Sequence, residues 1–221
     1  MYPRMSRRAV RKSTTGAADS ALASRDVHYP GWYLVHWHFL PNGYLSRGSV
    51  AAYDHVLRRV YYAGQEGRVT RRLARMLSHQ YPDGRFLDIG CGPGRLLRAL
   101  DDAGPAAEIV GADLSPFQLE RAAANTRTVL APTRLVHADA TRLPFAPAEF
   151  DAAVAGHVLG HLPSAATAQV LAEAHRVVRP GGRLFLFEHG WHKVASGPWQ
   201  RVASSTIRGT FGRVITLERS A

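Results

Sequence analysis

From residue 85 onward, short apolar runs alternate with amphipathic stretches. The runs Arg85–Ile89, Glu108–Ala112, Arg134–His137, Phe150–Ala155 and Arg183–Glu188 have the length and content of buried strands. Between them, Arg95–Asp102, Pro116–Thr128 and Ala165–Val178 repeat apolar residues every three to four positions, which predicts helices. This alternation predicts an α/β domain: an open, Rossmann-like parallel sheet with helices on both faces. Arg179-Pro-Gly-Gly182 stops the last helix and turns the chain into the fifth strand. Arg213–Leu217 reads as one further strand, and the segment before it, with Trp191, Trp199 and Gly209, shows no strand pattern. The expectation is an abbreviated or irregular C-terminal antiparallel hairpin.

The pattern changes upstream. Residues 1–26 are rich in Arg, Ser and Ala with little apolar periodicity, which predicts a disordered basic tail. Residues 27–84 form an aromatic and helical extension, placed to be a lid, ahead of a domain over 85–221. In it, His28 to Pro41 is dense in aromatics and histidine, fitting either a flap over a substrate or a cluster packed on the core. His36 and His38 alternate as on a strand, but two ligands are too few for a metal site, and none is predicted. From Ser49, Tyr53, Val56, Leu57, Val60 and Tyr61 follow helical spacing. A second helix runs from Gln65 to His79, with Val69, Leu73, Met76 and Leu77 on one face and Arg68, Arg71, Arg72 and Arg75 crowding it.

With 221 residues and 46% hydrophobic content, the chain can bury a sizeable core. No apolar run approaches the ~20 residues of a membrane span. The single cysteine, Cys91, precludes an internal disulfide and fits a reducing, cytoplasmic location. Ser6-Arg7-Arg8-Ala9-Val10-Arg11-Lys12 superficially resembles a twin-arginine signal, but no apolar segment follows, so export is not expected. The net charge of +11 is uneven: +9 over residues 1–85, −2 over 86–188 and +4 over 189–221. Only Lys12 and Lys193 among the 28 basic residues are lysine, so a general arginine bias with a solvated surface is the plainer reading. Contact of the basic flanks with an anionic membrane is the alternative.

The candidate chemistry centres on Phe86-Leu-Asp-Ile-Gly-Cys-Gly-Pro-Gly94, an apolar run, a glycine turn and a helix start. Glycines tolerate φ > 0 and let a ligand approach the backbone, and a helix N-terminus offers unpaired N–H groups. Ligands of open α/β sheets sit outside the carboxyl ends of the strands. Those ends carry Asp113, Asp139-Ala140 and Gly156-His157. The third glycine comes one residue too early for a dinucleotide fingerprint, and the turn lacks the Gly-Lys-Ser/Thr of a P-loop. A ligand without phosphates fits better.

Residues 86–188 resemble the class I S-adenosylmethionine (SAM) methyltransferases, in the small-molecule group that includes the ubiquinone/menaquinone methylases. The motifs carrying the resemblance are Leu87–Gly94, Gly111-Ala-Asp-Leu-Ser-Pro-Phe-Gln-Leu119, Asp139-Ala-Thr-Arg-Leu-Pro-Phe145, Phe150–Val154, Leu159-Gly-His-Leu162 and Arg176-Val-Val-Arg-Pro-Gly-Gly-Arg-Leu184. The resemblance implies SAM as cofactor. It implies that Gly90, Cys91, Gly92 and Gly94 shape the turn around the methionine part and that Asp88 orients the ammonium. Asp113 would bind the ribose, with Leu114 on the adenine. Asp139 and Ala140 would meet the adenine edge and face, and Gly156 and His157 would lie near the sulfonium.

Methyl transfer from a sulfonium needs mainly alignment, with a base where the acceptor must lose a proton. The candidates at strand ends are His157 and His189 as catalytic residues, with His161 and Glu188 further possibilities and Tyr53 and Tyr62 on the roof. Base N-methylating relatives carry Asn/Asp-Pro-Pro-Tyr/Phe where this chain has Ala155-Gly-His-Val158, so nucleic acid is not the expected acceptor. The expectation is a methyltransferase acting on an aromatic or lipophilic small molecule. The alternatives are a lipid or quinone methylase at a membrane surface and a non-catalytic SAM-binding regulator.

Overall fold

The computed structural model describes residues 3–57, 59, 65–189, 198–206 and 212–220, with Phe39, Gln65, Glu66, His189, Thr206 and Gly212 described by backbone alone. Seven strands form one sheet: β1 (Arg85–Ile89), β2 (Glu108–Asp113), β3 (Thr133–His137), β4 (Phe150–Gly156), β5 (Val178–His189), β6 (Gln200–Thr206) and β7 (Gly212–Glu218). Their order across the sheet is β3-β2-β1-β4-β5-β7-β6. β1 to β5 run parallel, and β7 lies antiparallel between β5 and β6. The chain therefore steps outward from β1 through β2 to β3, then returns to β4 on the other side of β1. The crevice at this reversal is where an open α/β sheet takes its ligand.

Alternation along β1 builds the two layers. Leu87 and Ile89 enter one core with Val170, Leu171 and Val177 of helix α6 (Ser164–Val177). Phe86 enters the opposite core with Leu73 and Leu77 of α3 (Gln65–Gln80) and Leu97 and Leu100 of α4 (Arg95–Ala103). Leu119 of α5 (Pro116–Asn125) joins that second layer. Each such fully buried side chain contributes about 1.5–3 kcal/mol. Asp88 is an acid between apolar Leu87 and Ile89 of this strand, and it is only 5% exposed.

Both antiparallel C-terminal strands are present, so of the two expectations, an abbreviated hairpin or an irregular strand, the second holds. β6 escapes sequence detection because it is an edge strand. Residues 200–205 are exposed apart from the backbone pairing, and a register shift falls between Arg201 and Ala203. With no buried face there is no alternation to read. Buried Trp199, at the start of β6, donates from Nε1 to the Leu171 carbonyl at 2.9 Å and fastens the hairpin onto α6.

Residues 7–18 form helix α1 (Arg7–Ala18), where the sequence predicts a disordered tail. Ser6 caps it, its hydroxyl accepting from the Ala9 N–H at 3.2 Å. The buried residues of α1 are Ser13 and Ala17, too small and too polar to register as an apolar stripe. The Trp37–Phe39 segment is a 3-10 turn with His38 at φ 49°, in place of the strand that His36 and His38 had implied. α2 (Arg47–Val56) begins two residues before the predicted start, because Ser46 accepts from the Ser49 N–H at 3.1 Å and caps it. Val60, Tyr61 and Tyr62 lie outside the described residues.

The N-terminal segment is held over the carboxyl ends of β2 and β3 by polar contacts. Ser20 and Arg47 both bind Glu120 of α5, and His137 accepts from the Ser24 N–H at 2.9 Å. Ala17, Tyr33, Leu45 and Val50 pack there on Leu114 and Phe117.

Candidate functional site

A cavity of about 520 Å³ opens at the carboxyl ends of β1, β2 and β4, beneath the N-terminal segment. Its floor is the turn after β1. The Gly90 and Cys91 N–H groups both donate to the Ala112 carbonyl, at 2.8 and 3.0 Å, which bends the chain sharply away from the sheet. Gly90 has φ 70°, and a Cβ there would stand 2.4 Å from Val158 Cγ2. A Cβ on Gly92, at φ 51°, would meet nothing within 4 Å, so this stretch of backbone faces open space. Gly94 does not line the cavity. At φ 77° it caps α4, and a Cβ there would come within 3.0 Å of Ala122 Cβ, so its smallness serves the packing of α4 on α5.

Asp113 ends β2 and locks this turn. Its Oδ2 accepts from the Gly92 N–H and its Oδ1 from the Ser115 N–H, both at 2.8 Å. Burial pushes its pKa up to about 6 even though these N–H groups favour the charge. Asp88 is buried, and no hydrogen bond reaches it among the described residues. Desolvation, with the Asp113 charge added, pushes its pKa up to about 8. Burial and the same two acids raise the Cys91 thiol, which keeps it protonated and unsuited to nucleophilic attack.

Leu114, Asp139 and Ala140 continue the wall. Asp139 Oδ1 accepts from the Thr141 N–H and hydroxyl, at 2.9 and 2.8 Å, so the carboxylate also caps its own turn. Gly156 ends β4, His157 follows it, and both line the cavity. His157 takes φ 55°, donates its N–H to the Phe187 carbonyl at 2.7 Å and sets its ring 4.4 Å from that of Phe187.

The two remaining strand-end candidates fare differently. Glu188 is 2% exposed and outside the cavity wall, and its Oε1 accepts from the Leu159 N–H at 2.7 Å. Burial raises its pKa, opposed by His157 and by the N–H groups of Leu159, Gly160 and Val158. It caps the Leu159–His161 turn. The His189 side chain and Tyr62 lie outside the described residues.

The roof comes from the N-terminal segment and includes Tyr33, Trp37, His38, Tyr44 and Tyr53. Tyr53 was a candidate from the sequence; Trp37 was visible there only within an aromatic stretch, His38 only as half of a histidine pair, and Tyr44 was not singled out. Asp54 of α2, fully buried, holds the roof down: Arg95, at the start of α4, reaches it at 2.5 Å and Arg121 of α5 at 2.8 Å.

A buried carboxylate without a donor, beside a second one held by backbone amides, fits a ligand that brings a cation and hydroxyl donors into the cavity. SAM, with an ammonium, a sulfonium and a ribose, has those groups, and the open backbone at Gly92 leaves room for it.

Comparison with known proteins agrees. Residues 87–186 match the family model described as "Methyltransferase domain". A demethylmenaquinone methyltransferase of Thermus thermophilus is 35% identical over 136 residues, covering 62% of this chain and 60% of the relative. The 27-O-demethylrifamycin SV methyltransferase of Amycolatopsis mediterranei is 40% identical over 121 residues, covering 54% of this chain and 43% of the relative. The chain spans about half the length of the curated relatives it matches. Among solved structures, the N-methyltransferase NodS of Bradyrhizobium japonicum, in complex with S-adenosyl-L-homocysteine, superposes with TM-score 0.61 at 18% identity over 71% of this chain and 88% of that one, a likeness of fold. Over residues 87–186 the sheet and its motifs match a methyltransferase domain, on the fold that SAM-dependent methyltransferases share. Its cofactor is SAM.

Proposed function

We propose that this protein transfers the methyl group of SAM to a small molecule with an aromatic or lipophilic body. The observation that carries the reading is the pair of acids, buried Asp88 and partly buried Asp113, on one cavity with the glycine turn. SAM supplies an electrophilic methyl on a sulfonium that is already a good leaving group. The protein's share is then to bind, align and exclude water. Asp88 takes the ammonium, Asp113 accepts from ribose hydroxyls, and Gly90 and Gly92 keep the floor free of side chains. Leu114, Asp139 and Ala140 form the adenine wall. Gly156 and His157 line the passage toward the acceptor, which the aromatic roof covers. The aromatic lining and the small-molecule methyltransferases among the relatives support this reading.

A thermal shift tests it. Saturating S-adenosylhomocysteine at 100 times its Kd adds about 2.7 kcal/mol to the folded state. At this size that is about 5–10 °C in Tm. No shift with S-adenosylhomocysteine, or an equal shift with NAD, would reject the reading. A shift without methyl transfer to any phenol, quinol or amine in a broad panel would favour the non-catalytic SAM binder.

A second reading, peripheral contact with an anionic membrane, is favoured by α3. Arg68, Arg71, Arg72 and Arg75 are exposed on it and enter no ion pair among the described residues, beside Met76 at 40% exposure. Val69 and Leu73 of the same helix line the cavity. Co-sedimentation with vesicles that rises with phosphatidylglycerol content, and falls when these arginines become glutamine, is the expected result. Binding indifferent to lipid charge would dismiss it.

A further inference from the structure

Five rings close a circuit in the cavity wall, four from the N-terminal segment and one, His161, from the Leu159–His161 turn. Trp37 lies over Tyr44 (6.2 Å, stacked) and edge-on to His161 (5.0 Å); His161 is edge-on to His38 (5.4 Å); His38 stacks on Tyr53 (5.2 Å); and Tyr53 meets Tyr44 (5.2 Å, edge-on). All five line the cavity that the glycine turn and Asp113 share. The circuit holds an indole, two phenols and two imidazoles and no aliphatic side chain. Such a wall presents π-faces to a flat ring and polar edges to a substituent on it.

His38 is built into this wall at a conformational cost. Its backbone is left-handed, φ 49° and ψ 33°, within the 3-10 turn Trp37–Phe39. Left-handed non-glycine residues persist where the surrounding structure determines them, and they cluster at functional sites. Here the turn is fixed on both sides. Trp37 Nε1 donates to the Tyr33 carbonyl at 3.0 Å, and the Leu40 N–H donates to the Trp37 carbonyl at 2.9 Å. Gly43 then passes so close that a Cβ there would stand 2.5 Å from the Val35 carbonyl oxygen. A right-handed residue at 38 would send the ring elsewhere, so the alternation of His36 and His38 along the chain hides the reason for the second histidine.

Among the described residues, the rings recorded against His38 include Tyr44, Tyr53 and His161, and the five-ring circuit holds no carboxylate. Burial lowers the His38 pKa, so its imidazole is neutral near pH 7 and able to accept a proton. Burial also raises Tyr44, which stays protonated.

We propose that the acceptor is a phenol or an enol on a planar ring, and that His38 is the catalytic base that takes its proton. This rests on the methyltransferase reading above and names its acceptor chemistry. The acceptor oxygen bonds to the methyl carbon as the carbon–sulfur bond breaks with its electron pair going to sulfur. The hydroxyl proton passes to the His38 imidazole, leaving a methyl ether, S-adenosylhomocysteine and an imidazolium that returns the proton to water.

The test uses 4-nitrophenol as the probe, since its phenolate alone is strongly yellow, with the full-length protein saturated with S-adenosylhomocysteine. An imidazolium beside the bound phenolate favours the charged form. The phenolate band is expected to appear at a pH about 1 unit lower on the wild-type protein than on H38Q, and H161Q is expected to keep the wild-type midpoint. Calorimetry with S-adenosylhomocysteine alone certifies that each variant is folded with an intact donor site. Failure of the wild type to bind S-adenosylhomocysteine would reject the methyltransferase reading. With that binding intact, three results would overturn the proposal: no binding of the phenol, equal midpoints in wild type and H38Q, or a shift lost in H161Q and kept in H38Q.

Discussion

Replacing Asp54 by alanine is expected to release the roof from the SAM fold without unfolding the sheet. The carboxylate is fully buried and joins α2 to two other helices through Arg95 and Arg121, whose side chains are 21% and 38% exposed. Removing it strands two partly buried guanidinium groups. Breaking a buried ion pair costs about 3–5 kcal/mol. The residual exposure of the arginines puts this case at the lower end, about 3 kcal/mol, because water solvates part of the freed charge. That loss falls on the docking of α2, so it reads as a local opening about 10²-fold more frequent. Hydrogen exchange followed by mass spectrometry on peptides covering 47–56 measures it, with β1 and β4 as internal references. R121A should cost less, about 1 kcal/mol, since Arg95 still neutralises Asp54. Unchanged protection of α2 in D54A, or an R121A effect as large as that of D54A, would refute the latch.

Other perturbations test the floor of the cavity. G90A forces alanine into a left-handed conformation, costing about 1–2 kcal/mol, and drives a Cβ to 2.4 Å from Val158 Cγ2. G90A/V158A should therefore recover only the steric share in urea denaturation; full recovery would deny the backbone strain. Asp88 and Asp113 have folded pKa values of about 8 and about 6, above the ordinary 3.8. Their contribution to the stability of the ligand-free protein is fully present below pH 3.8 and is lost as pH rises through about 6 and then about 8. The affinity for cationic SAM should climb over that same window as the acids ionise, and D88N should flatten its upper part. A flat affinity between pH 6 and 8 in the wild type would contradict the assignment.

What the sequence discloses follows from how local each signal is. The turn after β1, Asp113 and the strands from β1 to β5 were legible because strand, turn and helix follow one another within a few residues. Gly90, Cys91, Gly92, Leu114, Asp139, Ala140, Gly156 and His157 all reach the cavity, and Gly94 lies just behind it. β6 was illegible because it buries no face, and α1 because it buries only Ser13 and Ala17. Glu188 looked like a base from its place at a strand end, but its partners are backbone amides supplied by the Leu159–His161 turn. His38 carried the opposite problem, since one left-handed residue converts an apparent strand position into a cavity wall.

The central claim is that Asp113, gripping the glycine turn through Gly92, forms the ribose side of a SAM site. Isothermal calorimetry of S-adenosylhomocysteine with wild-type protein and D113A tests it most directly. One-to-one binding by the wild type is expected, with a loss of about 10²-fold or more in D113A. That loss is the cost of removing a charged acceptor from buried hydrogen bonds, about 3 kcal/mol. No binding by the wild type, or undiminished binding by a folded D113A, would contradict it.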